Sequence, residues 1–181
     1  MNKFLILPNQ LFNKKYLDKK FEYLIYEHQD FYTKYNFNKK KLILHRASMK
    51  YYFDYLKKHK FKVKYLEFNK KLPDENYNYF DPINKMKIKG IMIESPNFIL
   101  TKELFEKYRK KTDKFLFTNF YMWSKKELAL YPNLKSKDKM NRERYKKGIE
   151  IPKIPSNKPD QEYIDEAIKY IEKHFPKNYG N

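Results

Sequence analysis

The chain opens on two apolar runs, "KFLILP" (3–8) and "FEYLIYEH" (21–28), each short and rich in residues that suit a buried strand. Pro8 ends the first, because proline has no N–H to give to a ladder. Between Asn38 and Lys60 the pattern changes. Leu42, His45, Met49, Tyr52, Phe53 and Leu56 recur every three or four residues, which predicts a helix with one buried face and Asn38 as its cap. "KVKYLEF" (62–68) then alternates charged and apolar residues as a strand does. Residues 21–68 thus form a strand, helix, strand unit, for which parallel pairing through a right-handed crossover is expected.

"YNYFDP" (77–82) and "IMIESP" (91–96) give two more short strands. Only about nine residues, "INKMKIKGI" (83–91), lead from the first into the second. A crossover helix with its turns needs roughly a dozen, so either the later strand is incomplete or the helix is missing. Helical patterns resume in "TKELFEKYRKKTD" (101–113), with Thr101 as cap, and in "TNFYMWSKKELAL" (118–130), where Phe120, Tyr121, Trp123 and Leu128 can pack inward. A proline-bearing linker, "IEIPKIPSNKP", precedes a last helix from about Asp160. Its stripe is Tyr163, Ile164, Ala167, Ile168, Ile171 and Phe175.

At 181 residues, 41% hydrophobic and 19% aromatic, the chain can bury a core without disulfides or metals. It has no cysteine, which excludes thiolate metal sites, iron–sulfur ligation and cysteine nucleophiles from its own residues. Its four histidines form no HExxH or similar cluster, so no metal is expected. Three glycines cannot write either glycine-rich phosphate-binding motif. Nothing reads as a signal peptide or membrane span, and an intracellular, soluble protein without membrane contact is expected.

The formal net charge of +19 points to an acidic partner, nucleic acid first. Abundant Lys, Asn, Tyr, Ile and Phe also fit AT-rich coding, which raises charge without any partner. The excess is regional: residues 39–71 hold twelve Lys or Arg against two acids, and 102–147 fifteen against six, while 153–181 balance at five each. Lys39, Lys40 and Lys41 open the first long helix, where cations oppose the helix dipole at about 0.3–1 kcal/mol each. A ligand, a nucleic-acid phosphate, or Glu27 and Asp30 could offset them, or the side chains could swing into water. His45, on the apolar stripe, suits a buried hydrogen-bonded role rather than chemistry, and Trp123 suits a core.

Several motifs in order carry a family resemblance: "LILPNQL" (5–11), "YEHQDFYTKYNFNKKKLILHRASMKYY" (26–52), "YFDP" (79–82), "ESPNFILTKEL" (94–104), "FYMW" (120–123), "DKMNR" (138–142) and "YIEKHFPKNYG" (170–180). Together they resemble the deoxyribodipyrimidine photolyase-related proteins, the prokaryotic (6-4) photolyases or iron–sulfur bacterial cryptochromes. The resemblance implies an α/β fold, a Rossmann-like open parallel sheet flanked by helices as in the photolyase antenna-type domain, with one shortened crossover and a C-terminal helix. Residues 1–150 would form that domain, and 151–181 a linker and helix leading towards a flavin domain absent from this chain.

The family's FAD and four-cysteine iron–sulfur cluster would then reside in a partner chain, a separately encoded flavin-binding half, and DNA would be a further partner. Alone the chain would be no enzyme, since the photochemistry needs the flavin. A lumazine-type antenna chromophore would sit beyond the carboxyl ends of the strands, at Asn9, Gln10, Tyr26, Glu27 and Phe31. Turns that merely close a strand use the same residue types, and the family usually has Asp where Asn9 stands, Gly where Pro8 stands, and often a carboxylate at Phe31. Lys39, Lys40, Lys41 and Arg142 are the candidates for anion or nucleic-acid contact. The resemblance suggests half of a split light-dependent DNA-repair protein, or its remnant; a basic nucleic-acid-binding accessory protein without photochemistry is the alternative.

Overall fold

The computed structural model describes residues 2–129, 148, 150, 152–153 and 160–180. Five parallel strands, β1 (Lys3–Ile6), β2 (Glu22–Tyr26), β3 (Lys62–Leu66), β4 (Tyr77–Phe80) and β5 (Gly90–Ile93), form one sheet in the order β3-β2-β1-β4-β5. This is the expected α/β arrangement. Each strand is shorter than the apolar run that announced it. Beyond Leu7, for instance, the backbone turns so that the Gln10 N–H donates to the Leu7 carbonyl at 2.9 Å, and Pro8 sits inside that turn.

A four-residue helix, α1 (Gln29–Tyr32), and a long one, α2 (Lys39–Lys58), carry the chain from β2 to β3. The Asn38 side chain accepts the Lys40 N–H at 2.8 Å, so the predicted cap is in place. A 3-10 turn at Lys14–Tyr16 interrupts the β1–β2 connection. Neither short element was evident from periodicity, since a single turn has none to show.

The ambiguous joint resolves as a lost helix. β4 and β5 pair in parallel over their full length, from Tyr77↔Gly90 to Phe80↔Ile93, and the nine residues between them contain no helix. Gly90 makes the close pairing possible. Its φ is +135°, and a Cβ there would lie 1.9 Å from the Tyr77 carbonyl oxygen.

Alternation along the strands sorts side chains onto two faces. Phe4, Ile6, Tyr23, Ile25 and Phe80 meet Leu42, Met49, Tyr52 and Leu56 of α2, together with Ile171 and Phe175 from the C-terminal helix α5 (Gln161–His174). Leu5, Leu7, Tyr26, Tyr77 and Tyr79 occupy the other face, with Leu72, Met86 and Ile88 from the strand connections packed on them. Each fully buried side chain of this size contributes about 1.5–3 kcal/mol.

The chain divides into two compact units, Met1–Asn97 with Ser156–Asn181, and Phe98–Pro155. The C-terminal helix therefore belongs with the sheet. In the second unit Thr101 caps α3 (Lys102–Arg109) by accepting the Leu104 N–H at 3.2 Å. Phe120 and Trp123 of α4 (Phe117–Glu127) pack around Tyr108, with ring centroids 5.1 Å from it. Both face inward as the pattern predicted, whereas Tyr121 is exposed. Among the described residues no helix is long and apolar enough to cross a membrane.

Candidate functional site

Strand order reverses between β1 and β4, and in open parallel sheets the crevice beyond the carboxyl ends at such a point is where ligands enter. Gln10 spans it. Its Nε2 donates to the carbonyls of Phe80 at 2.9 Å and Asp81 at 3.2 Å, tying the turn after β1 to the end of β4. Its Oε1 is buried with no partner among the described residues. Asn9, the next candidate on the same turn, is exposed.

The strongest polar feature lies one strand over, at the ends of β2 and β3. Glu27 is 0% exposed and holds three donors. Arg46 Nη1 approaches Oε1 at 2.9 Å, the Tyr65 hydroxyl donates to the same oxygen at 2.6 Å, and the Phe68 N–H donates to Oε2 at 3.1 Å. Arg46 continues the network from α2. It reaches Glu67 at 3.3 Å and clasps Glu166 of α5 through Nε at 3.1 Å and Nη2 at 2.5 Å. Its guanidinium lies 3.5 Å from the centroid of the Tyr170 ring. Burial opposes the Arg46 charge, but the bond to Glu166 and the field of Glu27 outweigh it and hold the group protonated. Tyr65 is pushed up, by burial first and then by Glu27.

The sequence candidates are therefore used in different ways. Glu27 is neutralised inside this network, and Tyr26 is part of the core on the opposite face. Phe31 is half-buried, with its ring edge-on to His45 at 5.8 Å. Arg46 carried no assigned role from the sequence, although it occupies the centre of the helical stripe between Leu42 and Met49. That position was the available signal: an arginine on an apolar stripe needs buried acids around it.

Glu27 and Asp30 do not serve the three lysines. Glu27 pairs with Arg46, and Asp30 lies 3.3 Å from Lys34. Lys40 and Lys41 are exposed, and the Lys41 ammonium sits 4.1 Å from the centroid of the Phe37 ring. His45 is mostly buried, but its Nε2 has no hydrogen-bond partner among the described residues, unlike the bonded histidine the stripe suggested. Burial and the nearby Lys41 charge push its pKa down to about 4, so the ring is neutral near pH 7. Arg142 lies outside the described residues.

This arrangement positions and fastens its side chains. Every acid around Arg46 is bonded to the guanidinium. Among the described residues no group of three or more His, Asp or Glu side chains could hold a metal ion.

The family model described as "Deoxyribodipyrimidine photo-lyase-related protein" matches residues 4–89 and 80–181. The uncharacterized protein R852 of Acanthamoeba polyphaga mimivirus is 31% identical over 160 residues, covering 69% of this chain and 82% of that protein. With the parallel sheet and its switch point in place, the family-model match over residues 4–89 and 80–181 shows that the chain belongs to the deoxyribodipyrimidine photolyase-related family.

Proposed function

We propose that this chain is the α/β half of a split, light-dependent DNA-repair system, a folded body without photochemistry of its own that works with a separately encoded flavin-binding half. One observation supports the reading: the family model matches residues 4–89 and 80–181, and none of these 181 residues is a cysteine that could ligate an iron–sulfur cluster. Electron transfer to a DNA lesion needs a flavin or an equivalent absorber, which in this reading the flavin-binding half supplies.

For a lumazine-type chromophore the fit is narrow. The Oε1 of Gln10 is a buried acceptor at the switch point with no partner among the described residues, and Asn9 beside it is exposed. Tyr26 and Glu27 are committed to the core and to Arg46. Gln10 and Asn9 are thus the side chains that would hold such a ring.

The test is co-expression with a flavin-binding, four-cysteine protein encoded beside this one, followed by size-exclusion chromatography and repair of an ultraviolet-damaged oligonucleotide. A stable complex whose repair requires both chains and light is expected. Absence of any complex, with repair by the flavin protein unchanged by this chain, overturns the reading. DNA binding by this chain alone, steeply weakened by salt and indifferent to light, would instead favour the basic accessory protein suggested by the charge in residues 39–71.

A further inference from the structure

Between α2 and α5 lies a hollow of about 540 Å³. Ile43, Ile168 and Ile171 form its apolar wall, Lys39, Lys40 and Glu172 add charge, and the tail at Gly180 closes one side. Small-molecule sites typically measure about 300–1,000 Å³ and combine mostly apolar walls with a few polar groups. None of the five residues considered for a chromophore lines this hollow.

The charge here is unbalanced. The first turn of α2 contains three lysines and no acid. Its backbone donors are already engaged: the Lys39 N–H donates to the Tyr179 carbonyl at 2.8 Å, the Lys40 N–H to Asn38 Oδ1 at 2.8 Å, and the Lys41 N–H to the Asn38 carbonyl at 3.0 Å. Attraction for an anion therefore comes from the ammonium groups and not from free helix N–H groups. Among the described residues no acid is paired with Lys39, Lys40 or Lys41. Each lysine opposes the dipole, and a negative group seated between them would remove that penalty.

We propose that the hollow binds a small amphipathic anion: an aliphatic or aromatic body against the three isoleucines, with one carboxylate or sulfonate between the ammonium groups of Lys39 and Lys40. Glu172 opposes this charge from the same rim. Its removal therefore tightens binding, whereas removal of the lysines weakens it. This inference is independent of any flavin-binding half.

Anilinonaphthalene sulfonate, an apolar ring system carrying one anionic group, serves as the probe. It is titrated into the full chain and displaced with decanoate, with decyltrimethylammonium or with a duplex oligonucleotide, while amide NMR shifts locate the site. One saturable site displaced by decanoate is expected, with shifts centred on residues 39–43 and 168–172. Lys39→Gln/Lys40→Gln should weaken it about five-fold and Glu172→Gln tighten it about two-fold, with thermal midpoints no lower than that of the unchanged protein. Absence of saturable binding, equal displacement by the cation, or unaltered affinity in the double variant overturns the proposal. Displacement by the oligonucleotide at lower concentration than decanoate also overturns it, because the lysines would then serve nucleic acid.

Discussion

Arg46 is the residue on which most of the polar organisation turns. Its side chain is 3% exposed, yet it carries a full charge, and it is tolerated because Glu27, Glu67 and Glu166 surround it. Replacing only the arginine strands the Glu27 carboxylate in the interior. Arg46→Met should therefore cost about 3–5 kcal/mol in urea unfolding. Adding Glu27→Gln to that variant should recover part of the loss, since an uncharged amide needs no counter-ion and can still accept a bond from Tyr65 or Phe68. Strict additivity of the two changes would contradict this account. The stripe that contains Arg46 was legible from Leu42, Met49, Tyr52 and Leu56. Its partners were not, because they come from positions 27, 67 and 166, and no local period links a residue to acids 19, 21 and 120 positions away.

At the scale of elements, the β4–β5 pair shows how far length alone can be read. Nine residues were too few for a crossover helix, and the structure keeps both strands and omits the helix. Sequence could not decide between losing a strand and losing a helix, since "IMIESP" suits either a paired strand or a solvated loop. The deciding contact is between backbones: the Tyr77 N–H donates to the Lys89 carbonyl at 2.9 Å, and the Asp81 N–H to the Ile93 carbonyl at 2.7 Å. Gly90 lies within this pairing, in a conformation that only glycine adopts without strain. Gly90→Ala should push β5 away from Tyr77 and cost about 1–3 kcal/mol. Hydrogen exchange should then quicken at the β4–β5 amides while those of β1–β3 stay protected. Uniform loss of protection would mean that β5 is integral to the whole sheet.

The sheet and its family were legible as a whole: parallel order, the cap at Asn38, and the apolar runs all agree. The role of the last helix was less so. A proline-bearing linker precedes it, yet Ile171 and Phe175 complete the core, and Tyr163 reaches Asp54 at 3.1 Å. Burial of those two side chains is worth about 3–6 kcal/mol, a large share of the roughly 5–15 kcal/mol by which domains are stable. A chain ended before Asp160 should lose its cooperative urea transition and its dispersed amide spectrum. Retention of both would show that α5 merely rests on a finished fold.

The clasp of Arg46 on Glu166 also bears on how the protein is made. A ribosome delivers the strands and α2 long before position 166 emerges, so until then that guanidinium lacks its bidentate acid and the sheet lacks part of its cover. Maturation of the sheet thus waits for residues 161–175 to leave the exit tunnel, and a ribosome that stalls before Asp160 would leave both the clasp and the core unfinished.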